Sequence, residues 1–218
     1  MLYDSDTLLL PYKEIMLKRH ENYLQKLTLL QGEHTRLADS CNSHLYYGLH
    51  FTGKEWILRE WAPNATAIYL LFEEDNWQKH PQYAFKRLTH ENWELRLPAT
   101  TLSHGMLYKL LIEWQGGCGE RIPSHTSRAV QDPYTKIFTA QVWHPDSPYK
   151  WKHPRPTGGE RPLIYEAHIG MSTEQQKVST FTEFRLFVLP RIAYLGYNTL
   201  QLMAIQEHPY YGSFGYQV

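Results

Sequence analysis

Only two of the 218 residues are cysteine, Cys41 and Cys118, and they lie far apart in no paired motif. A disulfide-built scaffold is therefore excluded, and a reducing, cytoplasmic setting is expected. Charge of one sign is missing too: Lys plus Arg and Asp plus Glu number 22 each, for a formal net charge of zero. Such a chain has no electrostatic footprint for nucleic acid or an anionic membrane, so its partner is expected to be neutral or small. No stretch approaches the roughly 18 apolar residues of a membrane span. The first residues carry Asp4, Asp6 and a run of three leucines, which is not the pattern of a signal peptide. The 12 histidines are scattered, without a His-Glu-x-x-His motif or clustered Cys/His spacing, so no metal site and no other cofactor is expected.

Aromatic residues, by contrast, are abundant: seven Trp and sixteen Tyr. A flat ring with a polar edge suits a protein core, and it equally suits stacking on the apolar face of a sugar. Core packing accounts for most of them, leaving a handful for stacking.

Along the chain the grammar changes three times. Between Pro11 and Leu30, the positions of Ile15, Leu17, Tyr23, Leu24, Leu27 and Leu30 predict an amphipathic helix, stopped by Gly32, that needs a surface to lie on. From residue 40 to 143 the period shortens to two. Leu45 to Phe51 and Glu55 to Trp61 flank Thr52-Gly53-Lys54, a hairpin loop. Ala65 to Phe72 is continuously apolar and predicts a strand buried on both faces. Trp93, Leu95 and Leu97 alternate with polar residues, as do Tyr108, Leu110, Ile112 and Trp114. Further strands are expected near Gly119 to Ile122 and Lys136 to Trp143. Short strands at this spacing predict a β-sandwich. Residues 144–162, with five prolines and Gly158-Gly159, read as a connector.

After the connector a β-α-β pattern begins. Leu163 to Ile169 reads as a strand and Asn198 to Ile205 as a second. Between them Thr180-x-x-Glu183 forms a capping box for a helix that Pro190 should kink near Leu186 and Gly196 should end. Such a unit is not a domain by itself, since a (β/α)₈ barrel takes about 250 residues. Four segments are thus expected: a helical segment at 1–39, the sandwich at 40–143, the connector at 144–162, and the opening of a barrel at 163–218.

The run from Leu163 to Gly170 (Leu-Ile-Tyr-Glu-Ala-His-Ile-Gly) and that from Val188 to Asn198 resemble the start of the catalytic barrel in α-amylase-type enzymes. Gln201 to Val218, ending Tyr-Tyr-Gly-Ser-Phe-Gly-Tyr-Gln-Val, is more specific and resembles the glycogen-type 1,4-α-glucan branching enzymes. Arg59-Glu-Trp-Ala-Pro63, Asn92 to Pro98 and Gly119 to Pro123 match the starch-binding-like sandwich of that family. The resemblance implies the fold just outlined, a truncated (β/α)₈ barrel included. It implies cleavage of α-1,4 links of glycogen, amylose or maltooligosaccharide and their transfer to α-1,6 branches by a retaining double displacement. That chemistry needs a carboxylate nucleophile and a carboxylic acid about 5 Å apart. In the family these lie on later barrel strands, so no catalytic residue is assigned here and the chain alone is expected to be inactive. A second reading is a non-catalytic glucan-binding module.

Of the carboxylates near barrel strands, Glu166 sits mid-strand and is expected to form a buried polar pair with His168, two residues on. Glu207 follows the second strand. His208, Tyr210, Tyr211, Phe214 and Tyr216 crowd one loop, where Gly212 and Gly215 allow tight turning. Packing and sugar contact are both open to this cluster. The resemblance assigns Tyr216 to the sugar of the cleaved bond, beside Tyr211 and His208 as substrate-binding candidates. On the sandwich, Trp93 is expected in the core. Trp61, at a strand end ahead of Ala62 and Pro63, is open to either role, and the resemblance associates this stretch with glucan contact. Trp77 lies in a polar loop and is expected to be a sugar platform. The family's Gly-Asp-Phe-Asn-x-Trp loop reads Phe72-Glu-Glu-Asp-Asn-Trp77 here, with the tryptophan kept and the glycine lost.

Overall fold

A computed structural model describes residues 2–33, 36–158 and 161–218. Gly159, half of the Gly158-Gly159 pair in the connector, falls outside the described residues, as do Met1, His34, Thr35 and Glu160. The chain opens with a helical turn α1 (Leu2–Ser5), a 3₁₀ turn and the long helix α2 (Lys13–Gln31), followed by the short turns α3 (Leu37–Ser40) and α4 (Ser43–Tyr46). Helix α2 ends as expected at Gly32, whose N–H bonds the Thr28 carbonyl at 3.0 Å with φ of 55°. Its apolar stripe, however, is not covered: Ile15, Tyr23, Leu24 and Leu30 are exposed and no residue of the helix is buried.

Two antiparallel sheets follow. One has the order β1-β2-β5-β4, from β1 (Gly48–Phe51), β2 (Glu55–Trp61), β4 (Lys86–Arg87) and β5 (Asn92–Pro98). The other has β3 (Ala65–Phe72), β6 (Leu107–Trp114), β9 (Phe138–Gln141) and β8 (Ala129–Gln131) in the order β3-β6-β9-β8. Strand β7 (Gly117–Arg121) pairs with the C-terminal half of β6, while Leu107 and Tyr108 at its other end pair with β9. Alternation puts Trp56, Leu58, Trp93, Leu95 and Leu97 of the first sheet against Ile68, Leu70, Phe72, Tyr108 and Leu110 of the second. Each such side chain, fully buried, contributes roughly 1.5–3 kcal/mol. Burial also pushes the Tyr108 phenol up from its ordinary pKa.

Two strand expectations need correction. Strand β1 begins at Gly48 rather than Leu45, because Ser43–Tyr46 forms α4. Gly48 has φ of 85°, and a Cβ there would stand 2.3 Å from the His125 carbonyl oxygen, so only glycine fits. Strand β3 is covered on both faces only toward its end: Leu70, Leu71 and Phe72 are buried, but Thr66 is exposed.

Residues 163–218 hold a parallel pair, β10 (Ile164–His168) and β11 (Thr199–Met203), with Tyr165 opposite Leu200 and Ala167 opposite Leu202. The connecting helix starts at α5 (Phe181–Glu183) with the full capping box of Thr180 and Glu183. It continues through a π-helical turn, Phe184–Val188, into α6 (Leu189–Tyr194). The π turn is the form the Pro190 disturbance takes. Proline removes the N–H that Leu186 would bond, and the wider turn bonds the Leu189 N–H to the Phe184 carbonyl instead. Ala167, Ile169, Phe184 and Ile192 form a small core between sheet and helix. The opposite face of the pair is open. Glu166 is therefore exposed, with Gln201 Nε2 donating to its carboxylate at 2.9 Å, and the expected buried pair with His168 is not formed. His168 instead bonds the Phe214 carbonyl through Nε2 at 2.9 Å.

Candidate functional site

The residues singled out in the sequence occupy three separate places. Trp61, Ala62 and Pro63 line a pocket of about 500 Å³ at one end of the sandwich, together with Glu60, Asn64, Trp114, Arg121 and Ser124. Trp61 is 56% exposed, which no core role demands. The turn beneath it is fixed from both sides. The Trp93 indole N–H donates to the Ala62 carbonyl at 3.0 Å, and the Ala62 N–H donates to the Glu91 carbonyl at 3.2 Å. Trp93 is thus core, 4% exposed, and also a support for the pocket rim.

Glu60 forms the floor. It is 5% exposed, and its carboxylate accepts from the Trp61 N–H at 3.0 Å, the Ser124 N–H at 2.8 Å and the Ser124 hydroxyl at 2.6 Å. Hydrogen bonds to a charged group are worth about 1.5–3 kcal/mol each, enough to hold a buried carboxylate that makes no ion pair among the described residues. Ser124 in turn contacts His125 Nδ1 at 2.9 Å, and His125 Nε2 meets the Ser43 hydroxyl at 3.2 Å. The pocket wall is so linked to α4. Sequence reading passed over Glu60, Trp114 and Ser124. Only the Gly117-x-Gly119 spacing opposite Trp114 carried a signal.

Trp77 lies elsewhere, on the outer side of the second sheet. With Glu73, Lys109, Arg128, Gln131, Asp132 and Gln141 it borders a groove of about 660 Å³. The Lys109 ammonium stands 4.4 Å from the Trp77 ring centroid and pairs with Glu120 at 3.2 Å. The loop backbone that carries the ring is fixed: Asn76 and Trp77 both have positive φ, 57° and 60°, and the Trp77 N–H bonds the Phe72 carbonyl at 2.8 Å. The glycine missing from this loop falls at Phe72, an extended, buried residue that ends β3. The left-handed turn is made four and five residues later instead.

The third place is the loop after β11. His208 and Tyr211 stack at 6.2 Å and line, with His168, Ser179 and Glu207, a pocket of about 240 Å³. Tyr216 is 67% exposed and is not among the residues lining it. The loop is pressed on the strand end, since a Cβ on Gly215 would stand 2.6 Å from that of Ala204. Among the described residues Glu207 is the one carboxylate lining this pocket, so no nucleophile and acid pair converges there. No helix among the described residues is long and apolar enough to cross a membrane.

Residues 46–135 match carbohydrate-binding module 48 (isoamylase N-terminal domain). Over 98% of its length the chain is 35% identical to a 1,4-alpha-glucan-branching enzyme of Dictyostelium discoideum, of which it covers 32%. Over its whole length it is 36% identical to a chloroplastic/amyloplastic 1,4-alpha-glucan-branching enzyme of Oryza sativa subsp. japonica, of which it covers 27%. The chain spans about a third of the length of these curated relatives. Among solved structures, the catalytic module of the multi-modular glycogen-degrading pneumococcal virulence factor SpuA superposes with a TM-score of 0.53 at 20% identity, over 72% of this chain and 26% of that one. That likeness bears on the fold.

Proposed function

Since the chain belongs to the family of 1,4-alpha-glucan-branching enzymes, we propose that its sandwich holds α-glucan for a branching reaction. The reaction cleaves an α-1,4 link and re-forms it as an α-1,6 branch with net retention, through a glycosyl-enzyme intermediate on a carboxylate. In this reading β10, the helix and β11 open a (β/α)₈ barrel. The Tyr211 and Tyr216 loop then lies at the C-terminal ends of its strands, where barrel sites are built. Segments 1–39, 40–143, 144–162 and 163–218 are its helical, glucan-holding, connecting and barrel parts. Two free, exposed cysteines support a reducing compartment.

The observation that carries the proposal is Trp61, a half-exposed indole beside Ala62 and Pro63, at the rim of a pocket with a hydrogen-bonded polar floor. A neutral polymer offers no charge to grip. Stacking on such a ring, plus hydroxyl contacts to Asn64, Arg121 and Ser124, supplies affinity without it. Trp77 with Lys109 over its ring offers a second place of the same chemistry.

Titration with maltoheptaose tests this. Binding near millimolar, about −4 kcal/mol, is expected for the chain, and Trp77→Ala and Trp61→Ala should each weaken it without lowering the melting temperature. If both variants bind as the parent does, the platforms are misassigned. Incubation with amylose, scored for new α-1,6 links, separates an active branching enzyme from the non-catalytic glucan-binding module. With Glu207 the one carboxylate lining the pocket after β11 among the described residues, no linkage formation is expected from these residues alone.

A further inference from the structure

Trp114 ends β6 and stands in register opposite Gly117 of β7, with Gly119 opposite Ile112. These two glycines sit on one face of β7, two residues apart. The indole lies across both. A Cβ built on Gly117 would stand 3.2 Å from Cζ2 and Nε1 of the ring, and one on Gly119 would stand 3.3 Å from Cη2. Neither glycine is demanded by the backbone there, since neither has positive φ. What their bareness does is let a flat ring settle on the strand, filling the place of two absent side chains. The Arg121 guanidinium, next on the same face, reaches to 5.8 Å from the ring centroid.

We propose that Trp114 is a second stacking platform for α-glucan in the Trp61 pocket, and that Gly117 and Gly119 are the positioning residues that lay it flat. The inference rests on the reading of that pocket as a glucan site. The glycine bed occupies one side of the indole, while the side chain borders the pocket that Trp61, Ala62 and Pro63 line. Two indoles on one pocket of about 500 Å³, with Glu60 and Ser124 at its floor and Arg121 beside the second ring, suit a curved segment of more than one glucose unit. A single platform grips one sugar ring, and a second makes affinity rise with chain length.

The experiment uses the full chain carrying Trp77→Ala, so that binding in the other groove is silenced. Trp61→Ala, Trp114→Ala, Trp114→Phe and Gly119→Ala are added singly, each is titrated with maltose and maltoheptaose, and the indole N–H resonances are followed. Trp114→Ala is expected to weaken maltoheptaose binding about three- to tenfold, as for one aromatic stacking contact, while maltose binding changes less. Trp114→Phe should restore part of the loss. Gly119→Ala, which keeps the tryptophan but lifts it, should weaken binding and move the Trp114 indole signal in the free protein. A purely structural role would lower the melting temperature without this dependence on chain length. If Trp61→Ala loses binding but Trp114→Ala and Gly119→Ala do not, the inference is overturned and the pocket reading stands. If no variant changes binding and no indole signal moves with sugar, the pocket reading itself has failed.

Discussion

The sandwich and the β-α-β unit are built on opposite terms. In the sandwich two sheets close on a shared core of fifteen buried residues. In residues 163–218 two parallel strands bury four residues against one helix, and their other face is open, with Ile164, Glu166 and Gln201 exposed. Parallel strands are ordinarily covered on both faces. The contrast teaches that regular secondary structure and a satisfied capping box do not make an independent domain. Each sheet in both regions buries one face, and what separates them is the extent of the core on that face, fifteen buried residues against four.

The largest expected effect is in amide exchange. Leu58, Leu70 and Leu110 should exchange about a thousandfold more slowly than Leu200 to Met203, equivalent to about 4 kcal/mol of extra protection. Equal protection in a monomer would erase the contrast. Next comes Trp93→Ala, which should destabilise the sandwich by about 3–5 kcal/mol in a denaturant melt while leaving the β-α-β unit as it was. A loss below about 1 kcal/mol would mean the core repacks around the gap. Glu60→Ala should cost about 1–3 kcal/mol, because the Trp61 and Ser124 N–H groups lose their acceptor. Glu60→Gln should cost less, since one amide oxygen can still accept. If the glutamine variant melts lower than the alanine one, the floor is held by something other than these bonds.

The smallest effect concerns acid. The Lys177 ammonium, then the N–H and hydroxyl of Thr180, hold the Glu183 carboxyl down at about 2. A depressed carboxyl stabilises the folded form above its unfolded value, and that contribution fades as pH falls from about 4.5 toward 2. Glu183 sits half-buried at the helix start, away from the sandwich core, so the fading is expected as fraying of that start, read by the Thr180 and Glu183 amide shifts, with the sandwich untouched. Unfolding of the sandwich over the same interval would show that its own carboxylates dominate.

Much of the sandwich was legible because period-2 alternation is local: Trp93, Leu95 and Leu97 read as core and are core. The start of β1 was not, because it depends on the His125 carbonyl pressing on Gly48 from 77 residues further along. The open flank of Glu166 was misread because burial was inferred from its mid-strand position and its spacing to His168, while the sheet here has two strands and leaves that face uncovered. Of the candidate site, Trp61, Ala62 and Pro63 come together since they are consecutive. Lys109 over Trp77 and Ser124 under Glu60 are long-range pairings, for which a single sequence gives no local periodicity, whereas Trp114 on its glycines is a local hairpin contact whose only trace is the Gly117-x-Gly119 spacing.

The two consecutive left-handed residues at Asn76 and Trp77 also bear on the thermodynamics of sugar capture. A non-glycine residue in this region costs about 1–2 kcal/mol, a sum already spent when the domain folds. The loop backbone therefore has little conformational freedom left to lose when a glucose ring arrives. Calorimetry should accordingly find a small entropic penalty on this platform, and stopped-flow fluorescence a single association step with no slow rearrangement of the loop.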